Sequence, residues 1–331
     1  MSPNHSLRSD SGPADAGYSR RLRVVFLGTP AFAVPALRAV AATADVLAIL
    51  TQPDRPKGRG RHVAAPPVAE VARELGIPVL QPSRLKSPET MAALAALAPD
   101  VMVTVAYGKI IPREILALPP LGCINLHPSL LPKYRGASPI PRAIVAGEAV
   151  TGVTIMYQSE ALDAGDIILQ REVPIDPADT AQALEDRLAR IGADALVEAL
   201  TLIAQRRAPR RPQDHDAATY VGKLSKEDGR IDWTAPAAAL ADFVRAMDPW
   251  PSAYATHRGR LVKIWRAYPE GRSDMGGAPG TIIELRPGEG FVVSTGRGGL
   301  LVTSVQPEGR RRMTADEYAR GARLEVGERL L

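Results

Sequence analysis

The strongest constraint on the fold is a regular alternation of short apolar runs and helical segments over residues 22–205. Continuous apolar runs separated by helices are typical of a parallel sheet that is covered on both faces. The sequence therefore predicts an α/β domain. Its predicted strands are 22–27, 46–51, 77–80, 101–105, 123–126, 153–156 and 167–173.

The rest of the chain has a different pattern. A long amphipathic helix is predicted from Thr180 to Gln205, because its apolar residues recur at three- and four-residue steps. Residues 206–222 are polar, basic and interrupted by prolines, so they are predicted to form a linker. Short strands punctuated by Gly and Pro then predict a small β-barrel over 223–331. The polar residues 1–21 are expected to be a disordered tail with no role in the fold.

Composition excludes several classes of protein. The single Cys excludes a disulfide framework and a multi-Cys metal site, and the five His lack ligand spacing, so no metal is expected. No apolar run approaches the ~18 residues that a membrane span requires. The turn Gly28-Thr29-Pro30 is not a dinucleotide fingerprint, and no Walker A motif is present. A net charge of +5 is compatible with an anionic partner.

Two polar clusters are candidates for chemistry. Asn125 and His127 are two residues apart at a predicted strand end, so both side chains point to one side of the sheet. Ligands of open α/β sheets bind at the carboxyl ends of strands. Spacing alone also fits a polar strand end closed by a turn. The second cluster, around Asp163, is equally compatible with an ordinary acidic turn.

Taken together, these motifs resemble the folate-dependent formyltransferase family. The matching residues are Asn125-x-His127, then Ser129-Leu-Leu-Pro132 and Arg135-Gly136, and finally Leu162-Asp163-x-Gly165-Asp166. Three further stretches, 51–60, 223–233 and 249–251, resemble the members that act on methionyl-tRNA. Ala161 departs from the family pattern, which usually has Gly there. The resemblance covers the chain from Leu22 onward.

The resemblance implies a fold and a reaction. The implied fold is a Rossmann-like formyltransferase domain over 22–205, joined by the 206–222 linker to an OB-fold-like β-barrel over 223–331. The implied reaction moves the formyl group of 10-formyltetrahydrofolate to the α-amino group of initiator methionyl-tRNA. The protein is also expected to be a monomer and to be located in the cytoplasm.

The same resemblance implies roles for individual residues. Asn125, His127 and Asp163 match the catalytic triad. Asn125 and His127 are expected to donate hydrogen bonds to the oxyanion, and Asp163 is expected to support His127 and to accept a proton. The folate is expected to contact Ser129, Leu130, Leu131 and Pro132.

Basic residues supply the candidate tRNA contacts. The loop 52–62 carries Arg55, Lys57, Arg59 and Arg61, which alone would suggest a solvated face. The family match favours contact with the tRNA acceptor end. The basic C-terminal domain is also expected to bind tRNA, whereas Trp233 and Trp250 are expected in the core.

Three other functions stay open at this stage. A formyltransferase for a small amine, such as a sugar nucleotide, would use the same three residues. A 10-formyltetrahydrofolate hydrolase would replace the amine with water. An RNA-binding protein with an inactive α/β domain is disfavoured by the intact set of Asn125, His127 and Asp163.

Overall fold

The N-terminal strands have the positions that the apolar runs predict, together with two short pairs that the sequence does not reveal. The computed structural model describes residues 20–57, 62–270 and 276–331. In chain order the strands are β1 (Arg23–Gly28), β2 (Asp45–Leu50), β3 (Arg55–Lys57), β4 (His62–Ala64), β5 (Val79–Leu80), β6 (Val101–Val105), β7 (Cys123–His127), β8 (Arg135–Gly136), β9 (Val150–Tyr157), β10 (Ile167–Pro174) and β11 (Tyr220–Val221).

Seven of these strands form the central sheet, in the order β10-β9-β7-β6-β1-β2-β5. The five strands from β7 to β5 in this order are parallel to one another, which confirms the predicted parallel sheet for that part. β9 and β10 run antiparallel to their neighbours. Their apolar runs do not encode direction. The loop 158–166 that joins β9 to β10 is shorter than a crossover between parallel strands requires, so this pair is antiparallel.

Helices cover both faces of the sheet. They are α1 (Val34–Thr43), α2 (Pro67–Glu74), α3 (Pro88–Leu97), α4 (Arg113–Leu116), α5 (Pro139–Val145) and α6 (Ala181–Ala204). Side chains alternate between two cores along β1: Val24 and Phe26 pack with α1 and α6, and Val25 and Leu27 pack on the opposite face. α6 begins at a Thr180 cap, whose hydroxyl accepts a hydrogen bond from the Ala183 N–H.

The C-terminal domain is a closed antiparallel barrel, as expected. It contains α7 (Ala237–Ala246), β12 (Ala253–His257), β13 (Arg260–Pro269), β14 (Ile282–Arg286), β15 (Gly290–Ser294), β16 (Gly299–Pro307), β17 (Met313–Thr314) and α8 (Ala315–Ala322). Its sheet order is β12-β13-β16-β15-β14. Residues 328–331 close it. Leu331 exchanges backbone hydrogen bonds with Thr256 at one edge; at the other, the Leu330 N–H donates to the Gly280 carbonyl and the Glu328 carbonyl accepts from the Ile282 N–H.

Two boundary expectations meet the structure directly. Residues 1–19 of the expected tail lie outside the described residues, but Arg20 and Arg21 are held by hydrogen bonds to Asp100 and to the Ala42 carbonyl. Those two residues therefore belong to the folded part. The expected linker 206–222 is not loose: β11 pairs in parallel with β8, and Arg211 bridges to Ile167.

Candidate active site at the carboxyl end of the central strands

β7 delivers two polar side chains to the edge of the sheet where β6 and β7 both end. Asn125 and His127 are buried, with 9% and 4% of their surfaces exposed. Pro128 follows immediately, and a proline has no N–H with which to extend the strand. The strand therefore ends with His127 at the mouth of the site.

The orientation of Asn125 is set by β6. The Thr104 hydroxyl on that strand lies 2.9 Å from Asn125 Oδ1, and 3.0 Å from both Gln158 Oε1 and the Ile124 carbonyl oxygen. A hydroxyl can donate its hydrogen to the amide oxygen, and this contact turns the Asn125 Nδ2 group the other way. When the hydroxyl gives its one hydrogen to Asn125 Oδ1, the nearest of the three acceptors, Nδ2 is the group that Asn125 has left to donate.

His127 contacts protein oxygens at both ring nitrogens. Nε2 lies 2.9 Å from the carbonyl oxygen of Tyr134, which can only accept, so Nε2 carries a proton. Nδ1 lies 3.7 Å from Asp163 Oδ2, which is too long for a hydrogen bond. Nδ1 is therefore the nitrogen that an oxygen of a substrate could engage.

Tyr134 is braced so that its carbonyl faces His127. Its backbone is left-handed, with φ of +59°, and its hydroxyl donates to Glu148 at 2.8 Å. Burial, with the nearby Glu148 carboxylate, raises the pKa of Tyr134 to about 12. The hydrogen bond from Tyr134, with one from Lys133, lowers the pKa of Glu148. The phenol thus stays protonated and the carboxyl ionised at neutral pH.

Asp163 is placed by a tight turn between β9 and β10. Its φ of +49° is left-handed, and its Oδ2 accepts the Gly136 N–H at 2.9 Å. Only glycine fits at 165, because a Cβ there would lie 1.8 Å from the Tyr157 carbonyl oxygen. The structure thus places Asp163 3.7 Å from His127, and Asn125 lies two residues before His127 on β7; a catalytic role for the three residues stays a prediction.

The stretch predicted to contact folate, Ser129 to Pro132, forms the loop that leaves β7. Ser129 is fully buried, and its hydroxyl donates to the Lys133 carbonyl at 2.7 Å. Leu131 is also buried, while Leu130 and Pro132 are partly exposed. The side chains of Ser129 and Leu131 therefore support the loop, and folate contact by this stretch stays a prediction.

Only part of the basic loop falls within the described residues. Arg55 is exposed, and its guanidinium approaches Gln52 Oε1 at 3.4 Å. Gln52 in turn donates to the Tyr107 carbonyl, which ties the base of the loop to the end of β6. The side chain of Lys57, and Arg59 and Arg61 as a whole, lie outside the described part of the chain.

The C-terminal barrel presents a basic and aromatic surface. The Arg312 guanidinium lies 4.9 Å from the centre of the Trp265 ring, and Lys263 Nζ lies 5.6 Å from the same ring. Trp233 is buried, as expected. The expectation that Trp250 is in the core was wrong: its side chain is 53% exposed, because it sits in a turn between Pro249 and Pro251.

Sequence reasoning missed several residues that build the site. Thr104 lies within an apolar strand, and nothing local marks its contact with Asn125. Gln213 lies in the expected linker, yet it is buried and donates to the Asp163 carbonyl. Arg135 was noted only as part of a motif, and the structure shows it fully buried beside Gln213.

The described residues contain no candidate metal site and no candidate membrane-spanning helix, and they include Cys123. Across them, no group of three or more His, Cys, Asp or Glu side chains is arranged to hold a metal ion. No helix in that part of the chain has the length and apolar character that a membrane span requires. Cys123 is buried in β7, and burial raises the pKa of its thiol to about 12.

Two family models match the chain in succession. A model described as formyl transferase matches residues 22–200, and one described as formyl transferase, C-terminal domain, matches residues 223–323. The chain is 50% identical over 308 residues to the methionyl-tRNA formyltransferase of Moorella thermoacetica, covering 93% of this chain and 98% of the relative. It is 47% identical to that of Symbiobacterium thermophilum, covering 93% and 95%.

Solved structures share the fold at low sequence identity. The sugar 3N-formyl transferase WlaRD, crystallised with dTDP and 5-N-formyl-THF, has a TM-score of 0.65 at 17% identity, covering 88% of this chain and 100% of that one. HypX from Aquifex aeolicus, in complex with tetrahydrofolic acid, has a TM-score of 0.62 at 20% identity, covering 93% and 49%.

Proposed function

The chain belongs to the formyl transferase family, and on that premise we propose that it transfers a formyl group from 10-formyltetrahydrofolate to the α-amino group of methionyl-tRNA. The observation that carries the proposal is the approach of Asp163 Oδ2 to His127 Nδ1 at 3.7 Å, with Asn125 two residues before His127 on the same strand. The identity of about half the residues with methionyl-tRNA formyltransferases, over nearly their whole length, supports this acceptor.

The reaction requires stabilisation of negative charge on the formyl oxygen. When the amine attacks the formyl carbon, a C–N bond forms and the carbonyl oxygen becomes an oxyanion. Asn125 Nδ2 is turned away from Thr104 and is the first donor for that oxygen. A preorganised donor of this kind is worth roughly 10²–10³ in rate. The second donor to the oxyanion is His127 Nδ1, once that nitrogen carries a hydrogen.

Proton movements complete the transfer. The attacking nitrogen must lose a proton, and we assign Asp163, 3.7 Å from His127, as the carboxylate that accepts it through a water molecule. The bond from the formyl carbon to N10 of the folate then breaks, and the folate nitrogen takes up a proton. His127 supplies that proton from Nδ1, while the hydrogen bond to Tyr134 fixes the ring through Nε2.

We propose that folate lies over the loop 129–132, with its pterin near residues 105–108. Two structural relatives support folate as the donor, because they were solved with tetrahydrofolic acid and with 5-N-formyl-THF. The loop is fixed from below by Thr154, which contacts the Ser129 carbonyl and the Leu131 N–H. A rigid loop of this kind suits a flat ligand, because little ordering accompanies binding.

The tRNA is proposed to contact both domains, taken as 22–205 and 223–331 with 206–222 between them. Arg55, Lys57, Arg59 and Arg61 would reach the acceptor end from the first domain. The surface around Lys263, Trp265 and Arg312 would hold the tRNA backbone from the second. We propose that the protein works as a monomer in the cytoplasm.

One incubation separates the candidate reactions. The protein is mixed with 10-formyltetrahydrofolate and charged initiator tRNA, and the products are analysed for formylmethionine and for free formate. Formylmethionyl-tRNA is expected. Formate without formylmethionine would favour the hydrolase, and product only after a sugar nucleotide amine is added would favour the small-amine enzyme.

Alanine at Asn125, His127 or Asp163 tests the assignment of the site. Each change is expected to collapse the turnover number, while the dissociation constant for tRNA stays close to that of the wild type. Turnover is measured at saturating substrate and tRNA affinity by filter binding. A variant with normal turnover would remove that residue from the mechanism.

Arg59→Leu tests the basic loop. We expect it to weaken discrimination for the initiator acceptor end more than it weakens folate binding, because phosphate and base contacts would be lost while the folate site is unchanged. The measurement compares kcat/KM for initiator and elongator methionyl-tRNA. An equal loss for folate and for tRNA would contradict the assignment.

A further inference from the structure

The segment 206–222 reaches the candidate active site through one buried amide. Gln213 is 5% exposed, and its Oε1 accepts hydrogen bonds from Arg135 Nε and Nη2 at 3.1 and 2.7 Å. Its Nε2 donates to the carbonyl oxygens of Asp163 and Gly165 at 2.9 and 2.8 Å. Only a carboxamide offers this combination, with acceptor pairs on one atom and two donor hydrogens on the other.

Arg135 determines which way the Gln213 amide points. Its side chain is 1% exposed, and it also donates to the Tyr220 hydroxyl at 3.0 Å and to His215 Nδ1 at 3.2 Å. A guanidinium has donors only and stays protonated, so the group that faces it must be the amide oxygen. The NH₂ group of Gln213 is thereby directed at the turn that carries Asp163.

The turn that carries Asp163 is stabilised by contacts to both its backbone and its carboxylate. Asp163 adopts a left-handed backbone with φ of +49°, a conformation that the Cβ of an L-residue disfavours. Gln213 holds its backbone, and the Gly136 N–H holds its carboxylate at 2.9 Å. Because Gly136 follows Arg135 in the chain, the contacts form a closed ring from Arg135 through Gln213 and Asp163 back to Gly136.

We propose that Gln213 is a positioning residue for Asp163, and that Arg135 acts through it by orienting its amide. The segment 206–222 then sets where the carboxylate stands beside His127, in addition to joining two domains. This inference rests on the proposed role of Asp163 in formyl transfer.

Gln213→Glu is the sharpest test, because it separates the two halves of the amide. Glutamate has nearly the same shape and keeps two acceptor contacts for Arg135, but it cannot donate to the Asp163 and Gly165 carbonyls. We expect kcat for formyl transfer to fall about tenfold or more, since a displacement of about 1 Å can cost up to ~10²-fold. KM for both substrates should change less than about twofold, because no binding contact is removed.

A merely structural role for Gln213 predicts a different pattern. The folded variant would then have the kcat of the wild type, whatever its melting temperature, and that result would overturn the inference. Kinetics are therefore measured at a temperature at which circular dichroism shows the variant fully folded.

Arg135→Lys provides a second route if the first variant does not fold. Lysine offers one point donor in place of the planar fork, so the amide of Gln213 is held by fewer bonds. A smaller fall in kcat is expected, again with KM retained. Unchanged kcat in this variant would also overturn the inference.

Two controls separate this inference from the function on which it rests. Gln205→Glu introduces the same charge at an exposed glutamine next to the segment and should leave kcat unchanged. Asp163→Ala is measured in parallel. If that variant is fully active, the proposed role of Asp163 fails; if it is inactive while Gln213→Glu is normal, only the positioning role fails.

Discussion

At the scale of single residues, the site depends on side chains that never need to touch a substrate. Thr104 is paired with Asn125 across β6 and β7, and its hydroxyl lies 2.9 Å from Asn125 Oδ1.

Thr104→Val keeps the shape of the side chain but removes the hydroxyl that can donate to the Asn125 amide oxygen, so the amide is free to turn. We expect kcat to fall about tenfold with KM retained, because the loss of a whole oxyanion donor costs roughly 10²–10³. Thr104→Ser should restore the rate, and Thr201→Val, at an exposed helix position, should have no effect. Normal kcat in Thr104→Val would show that Asn125 is oriented by other contacts.

At the scale of elements, one carboxylate adds side-chain contacts to the backbone hydrogen bonds that hold the closing segment of the barrel. Glu328 contacts Arg258 at 2.6 Å and His257 at 2.9 Å, and the hydrogen bonds from Arg258 are the main cause that lowers its pKa to about 2. A carboxyl with a lowered pKa stabilises the fold above its unfolded pKa of 4.5, and this contribution is lost as the pH falls toward 2.

Glu328→Gln should therefore lower the free energy of unfolding at pH 7, and the difference from the wild type should shrink below pH 4.5. Urea titrations at pH 7, 5, 4 and 3 measure it. Glu160→Gln, which breaks an exposed pair with Arg113, is the control and should change little. A difference that is the same at every pH would contradict the assignment.

The elements also show what a sequence can and cannot predict. The predicted helix from Thr180 to Gln205 matches α6 to within one residue at each end, because its amphipathic period and its cap are both local. β8 and β11 were missed, since each has two residues and their pairing joins positions 135 and 220. The site divides in the same way: Asn125 and His127 follow from strand spacing and the motif, whereas Gln213 has no local signal. Its role exists only once the fold brings it to Asp163.

At the scale of the whole molecule, one of the two cores of the first domain continues into the core of the second domain. α5 of the first domain packs against α7 of the second, and buried residues of both belong to a single hydrophobic cluster that includes Ile144 and Leu240. Arg142 and Asp228 add an ion pair of 2.7 Å between the domains. Domains whose cores are separate unfold independently, whereas a shared core couples their unfolding.

Calorimetry should accordingly record one cooperative transition for the full chain. Leu240→Ala removes a buried side chain from α7, and a large-to-small change in a core typically costs ~2–5 kcal/mol. We expect the variant to shift the whole transition to lower temperature, with the calorimetric and van't Hoff enthalpies still equal. Val326→Ala, at an exposed apolar position, is the control and should leave the transition in place. If the wild type shows two transitions, or if Leu240→Ala moves only one part of the heat absorption, the domains unfold separately. The contacts of segment 206–222 would then have to keep Asp163 in place without support from the second domain.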